Sequence, residues 1–116
     1  MIISGSLKLI GNTPLIKLKN IVPNGYANVW LKYEAGNPTG SYKDRMALSV
    51  IRNAIEDGKI KKGDKLIEYT GGSAGSSLAF VSAALGLKFI AVFSDAFSNI
   101  KKQSMEAFGA EVLIEK

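Results

Sequence analysis

The feature that most constrains this chain is a regular exchange of short apolar segments with helical ones over residues 65–114. Lys65-Leu66-Ile67-Glu68-Tyr69 reads as a strand, and Phe89-Ile90-Ala91-Val92-Phe93 is an unbroken apolar run, the pattern of a strand buried on both faces. Val112-Leu113-Ile114 closes the series. Between these strands, Leu78, Val81, Ala84 and Leu85 recur at helical spacing before Gly86, and a second helix runs from about Ser98 to Phe108, stopped by Gly109. Strand–helix–strand–helix–strand with short connections specifies an α/β fold, a parallel βαβαβ sheet with crossover helices.

The preceding residues follow other patterns. Met46, Ala47, Val50, Ile51, Ala54 and Ile55 form a helical stripe ended by Asp57-Gly58. Ser41 stands as its N-cap with Asp44 three residues on, the acid variant of a capping box. Earlier still, Leu15–Leu18 and Val29–Tyr33, separated by Pro23-Asn24-Gly25, suggest a β-hairpin-like N-terminal segment. It stands outside the alternating series, so the chain divides into a segment at 1–36 and part of an α/β domain at 37–116. Nothing after the last strand covers it, and the architecture reads as incomplete.

Composition excludes several chemistries. With no cysteine there is no thiolate zinc site or thiol nucleophile, and with no histidine there is no Ser-His-Asp triad; no metal site is expected. Acid–base work then falls to a lysine, a carboxylate, a tyrosine or a cofactor. No apolar run reaches the ~18–20 residues of a membrane span. The opening Met1-Ile2-Ile3-Ser4-Gly5-Ser6 has no basic stretch before an apolar one, so a cytoplasmic protein without a secretory signal is expected. The net charge of +5 is concentrated at Lys59, Lys61, Lys62 and Lys65 and at Lys101 and Lys102. No aromatic residues interleave with them, which favours a solvated exterior over a nucleic-acid surface.

Two places could carry chemistry. Thr70-Gly71-Gly72-Ser73-Ala74-Gly75-Ser76-Ser77 lies after a strand and opens a helix, at the carboxyl edge where ligands of open α/β sheets gather. Its glycines and free amides can form an anion site, or the segment can be a Gly/Ser-rich turn with no ligand. Lys43 heads the apolar stripe Met46–Ala47–Val50–Ala54. Such a lysine can snorkel to solvent; alternatively, burial and the helix N-terminus would disfavour its ammonium and leave an amine able to form a Schiff base.

Three runs together, Ile10-Gly11-Asn12-Thr13-Pro14-Leu15, Asn37-Pro38-Thr39-Gly40-Ser41-Tyr42-Lys43-Asp44-Arg45 and Ala107-Phe108-Gly109-Ala110-Glu111-Val112, carry a resemblance. With Glu68, Thr70 and Ser94-Asp95 between them, the chain is similar to the opening part of the cysteine synthase / cystathionine β-synthase family, enzymes of fold type II dependent on pyridoxal 5'-phosphate. The resemblance implies that Lys43 binds the cofactor as a Schiff base and is the general base at Cα. It implies that Thr70, Gly71, Gly72, Ser73 and Ala74 receive the α-carboxylate of a small amino-acid substrate. Ser73 stands where the family has an asparagine that contacts the cofactor's phenolic oxygen, and the first two strands would join a larger domain. The implied reaction removes a β-substituent from an activated serine and adds sulfide or a thiol, in a homodimer. Threonine synthase, dehydratase or racemase activity is the alternative within the fold, and a non-catalytic module that self-associates is the alternative outside it.

The loop departs from the family's Thr-Ser-Gly-Asn-Thr-Gly: Gly71 and Ala74 remove two hydroxyls and Ser73 is shorter than asparagine. The family's later glycine-rich loop for the cofactor phosphate has no counterpart in these 116 residues. The isolated chain is therefore expected to hold pyridoxal phosphate weakly or not at all.

Overall fold

Which side of each strand is apolar decides how the layers stack. The computed structural model describes residues 5–115, so the reading of Met1–Ser4 lies outside the described residues. In chain order the strands and helices are β1 (Leu15–Lys17), β2 (Trp30–Lys32), α1 (Lys43–Glu56), β3 (Lys65–Tyr69), α2 (Ser73–Leu85), β4 (Lys88–Ser94), α3 (Asn99–Ala107) and β5 (Glu111–Glu115). Short 3-10 turns lie at Ser6–Leu9 and Glu34–Gly36. β3, β4 and β5 form a parallel sheet in sequence order, with Ile67 opposite Ile90 and Val92 opposite Leu113. The α/β reading and its parallel βαβαβ sheet are what the structure contains.

Two successive crossovers in the same direction place both connecting helices on one face of the sheet. Ala79 of α2 and Met105 of α3 accordingly pack on Phe89, Ala91 and Phe93, with Leu66 and Val112 flanking. Among the described residues, no helix lies over the opposite face. Ile67 is 64% exposed, Tyr69 62% and Leu113 43%. This corrects the expectation that Phe89–Phe93 is buried on both faces: Phe89, Ala91 and Phe93 are buried, while Ile90 and Val92 are only half-buried. α1 lies against α2, where Ala47 and Ile51 meet Val81 and Leu87. No helix among the described residues is long and apolar enough to cross a membrane.

The expected hairpin forms, with β1 and β2 antiparallel and Leu15 opposite Lys32. Its connection turns at Gly25, whose φ of +87° suits glycine, and Tyr26 N–H donates to Pro23 O there. All six ladder residues are exposed, so the ribbon has no core of its own.

Two boundary expectations are corrected. The capping expectation is half met: Tyr42, just before α1, is already helical and carries no capping bond, and Ser41 Oγ accepts the Lys43 N–H at 3.1 Å as an N-cap does, but Asp44 does not reach back to Ser41 as a capping box requires. Its carboxylate is drawn instead to Thr39. The buried stripe of α1 is Asp44, Ala47 and Ile51, while Val50 is 55% exposed, so the helix is rotated and Asp44, not Lys43, heads the buried face. α2 begins at Ser73, so Ser73, Ala74 and Gly75, expected as part of a loop from Thr70 to Gly75, form its first turn.

Candidate active site

The turn before α1 is tied down by short-range polar bonds. Gly40, at φ +76°, donates its N–H to Asn37 O at 2.8 Å, and Ser41 Oγ accepts the Lys43 N–H at 3.1 Å. Asp44 is completely buried; Oδ2 accepts the Thr39 N–H at 2.9 Å and Oδ1 accepts the Thr39 hydroxyl at 2.5 Å. A buried carboxylate is tolerable because both its oxygens are hydrogen-bonded. Lys43 emerges from this frame half-buried in the first turn of α1. Its Nζ lies 4.9 Å from the centre of the Tyr42 ring. It donates no hydrogen bond and forms no ion pair among the described residues. The amine is positioned but uncommitted.

A second set of bonds holds the same turn to the N-terminal segment. Glu34 receives Arg45 in a bidentate pair, Nε at 2.8 Å and Nη2 at 3.0 Å. Thr13 Oγ1 donates to Glu34 Oε1 and accepts from Arg45 Nη2 at 3.1 Å. Asn37 Nδ2 donates to the Glu34 backbone carbonyl and carboxylate, and Asn37 Oδ1 accepts the Gly11 N–H at 2.9 Å. These bonds, the one from Arg45 foremost, hold the Glu34 carboxyl at a pKa of about 2, below the usual 4.5. Gly11, Thr13, Asn37 and Arg45, all in the runs that carry the family resemblance, are thus parts of one clamp. Glu34 at its centre was missed by the sequence reading, because a single acid after a strand looks like any solvated glutamate.

At the carboxyl end of β3, Thr70 N–H continues the ladder to Val92 O at 2.9 Å. Three glycines follow for three different reasons. A Cβ on Gly75 would come within 2.5 Å of Met105 Sδ and 2.6 Å of Thr70 Cγ2, so this glycine lets α2 close onto α3 and onto the buried Thr70. A Cβ on Gly71 would fall 2.2 Å from the ring of Phe97. A Cβ on Gly72 would meet nothing within 4 Å, so this is the open side of the loop. No side chain caps α2, and Gly72 O takes the N–H groups of Gly75 and Ser76. The amides of Ser73 and Ala74, in the helix's first turn, are left at its entrance, the arrangement that receives anions.

The lysine turn and the glycine loop meet here. Thr39 Oγ1 lies 3.3 Å from Ser77 Oγ in the second turn of α2, so Asp44, Thr39 and Ser77 form a chain of polar contacts between the two. Ser76 Oγ and Ser82 Oγ, on the same helix, are buried without a hydrogen-bond partner among the described residues. Gly72, Ser73 and Ala74 are thus half-buried at the start of α2, whose second turn touches the Lys43 turn through Ser77. The structure places Thr70 beneath them and Gly71 under Phe97.

The sequence model described as pyridoxal-phosphate dependent enzyme matches residues 7–114. A cysteine synthase of Staphylococcus aureus is 43% identical over 107 residues, which cover 92% of this chain and 34% of that protein. Cysteine synthase B of Escherichia coli is 46% identical over 105 residues, covering 90% and 35%. The crystal structure of an O-ureido-L-serine synthase superposes with a TM-score of 0.94 at 37% identity, over 99% of this chain and 36% of that one. The chain thus spans about a third of the length of the curated relatives it matches.

Proposed function

The chain belongs to the family of pyridoxal-phosphate dependent enzymes, and from that premise we propose that it carries the lysine and the substrate-carboxylate loop of a cysteine synthase-like β-replacement enzyme. The residues present fit such a cofactor. Lys43 offers an uncommitted amine, and the Gly72 side of the loop open access. Pyridoxal phosphate, when bound, supplies the sink for the electron pair released at the substrate Cα.

The chain's own residues then divide the work. With the cofactor bound, Lys43 would hold it and would take the proton from Cα. Ser73, standing where the family has an asparagine, would face the cofactor's phenolic oxygen. Amides from Gly71 to Ala74, above the strand end at Thr70, receive the α-carboxylate of a small amino acid, fixing Cα beside the amine. The β-substituent leaves, and sulfide or a thiol takes its place. The supporting observation is the Thr39–Ser77 contact, which joins the lysine turn to the helix entrance. Borohydride reduction of the chain mixed with pyridoxal phosphate, followed by peptide mapping, tests the reading and captures even weak occupancy. Label should concentrate on Lys43 and vanish from that peptide in Lys43→Ala. Label spread evenly over surface lysines, unaffected by a competing amino acid, would count against it.

The uncovered face of the sheet favours a second reading, that copies of the chain self-associate. Tyr69, Val92 and Leu113 lie side by side across three strands with no helix above them, and such apolar faces recruit cover. Light scattering against concentration should show dimers in the wild type and fewer in Tyr69→Lys; a monomer throughout excludes this reading.

A further inference from the structure

Gly71 and the ring of Phe97 occupy one another's space. A Cβ on Gly71 would stand 2.2, 2.3 and 2.4 Å from three ring atoms of Phe97, well inside contact distance. The ring thus fills the room that a side chain at the second position of the loop would need. Phe97 reaches it from the turn between β4 and α3, where its N–H donates to Ser94 O at 3.1 Å. Behind, the ring leans on Phe93, with centroids 5.5 Å apart and planes at 60°. Even so, Phe97 is 42% exposed. One side of the ring is packed on Gly71 and the rest is exposed.

We infer that Phe97 is a specificity-determining residue that stands in for the side chain missing at Gly71. It selects amino acids with an apolar or thioether β-substituent over hydroxylated ones. The inference rests on the reading of this loop as the carboxylate site. A ligand whose carboxylate lies on the amides of 72–74 would meet, at the second position of the loop, an aromatic ring in place of a side chain. A thioether gains dispersion and sulfur–aromatic contact there. A hydroxyl loses water to a surface that offers no hydrogen bond. Gly71 and Phe97 therefore act as a pair, because a side chain at 71 must push the ring away.

Nuclear magnetic resonance titration of the chain with S-methyl-L-cysteine and with L-serine reads both claims. Amides of Gly72, Ser73 and Ala74 should move with either ligand, with tighter binding of S-methyl-L-cysteine. Phe97→Ala should reduce that preference roughly threefold to tenfold, the worth of one aromatic contact. Phe97→Leu, which keeps an apolar wall and guards against a folding defect, should retain part of it. Gly71→Ser should lose the preference as Phe97→Ala does, and the double variant should lose no more than either. If the loop amides move with neither amino acid, the carboxylate site falls and the inference with it. If they move but the preference survives Phe97→Ala, the site stands and the role of Phe97 is overturned.

Discussion

Residues 10–45 and residues 65–115 are held by different forces. In the first region the buried side chains are Thr13, Asn37 and Asp44, all polar, and β1 and β2 bury none. In the second, Phe89, Ala91, Phe93 and Met105 form an apolar centre between sheet and helices. Hydrogen bonds fix direction and distance, whereas apolar burial supplies stability without fixing a single geometry. A turn that must present one amine in one place is built by the first means and rests on a platform built by the second. Stability and placement are thereby separable, and the difference can be tested by breaking one region at a time.

The largest loss should come from the apolar platform. Met105 is fully buried, with its sulfur over Gly75. Met105→Ala removes those contacts and leaves a cavity, a change worth about 2–5 kcal/mol. The urea midpoint should fall accordingly, with little dependence on salt. A loss below about 1 kcal/mol would show that this region is not held by burial as described.

Asp44 tests the polar frame. Asp44→Ala leaves the half-buried Thr39 N–H without its acceptor and its hydroxyl with Ser77 alone, at a cost of about 1–3 kcal/mol. Asp44→Asn should cost less, because its carbonyl still accepts from Thr39 N–H while its amide donates to the Thr39 hydroxyl. The Ala variant should also slow borohydride trapping at Lys43 by more than its stability loss predicts under conditions where it remains folded. Equal trapping in folded Asp44→Ala and wild type would deny the frame any part in placing the amine.

The same contrast explains what could be read from the chain alone. The short apolar runs and period-3.6 patterns of residues 65–114 locate β3, β4, α3 and β5 to within a residue and miss the start of α2 by three, because burial leaves a trace in composition that a glycine-rich helix entrance does not. Pattern says less about sides. Phe89–Phe93 reads as buried on both faces, yet the two helices share one face, a matter of crossover hand rather than of residue type. The polar clamp leaves no period at all. Thr13, Glu34, Asn37 and Arg45 are scattered over 33 positions, and only the fold brings them together. Lys43 and the glycine loop stand out as motifs, but the different duties of Gly71, Gly72 and Gly75 depend on Phe97 and Met105, which lie far along the chain.

The smallest expected effect concerns the clamp, and its sign follows from Glu34. Its carboxyl titrates at about 2 in the folded chain against an ordinary 4.5. A carboxyl with a depressed folded pKa stabilises the fold fully above its unfolded value. That contribution fades as pH drops from about 4.5 towards 2, where protonation releases Arg45. Side chains of the pair are 42% and 23% exposed, so water and salt screen the attraction and the change in stability should be modest. Glu34→Gln keeps an acceptor for Thr13 but cannot titrate. The variant should therefore be slightly less stable than wild type at pH 7, and the gap should close at pH 2–3, as the wild-type carboxyl takes up its proton. The Gly11 amide resonance, bonded to Asn37 within the clamp, gives a local reading of the same titration. A wild-type melting temperature that runs parallel to that of Glu34→Gln from pH 7 to pH 2, with a static Gly11 amide, would mean that the clamp closes without the charge on Glu34. Thr13 and Asn37 would then be its working parts.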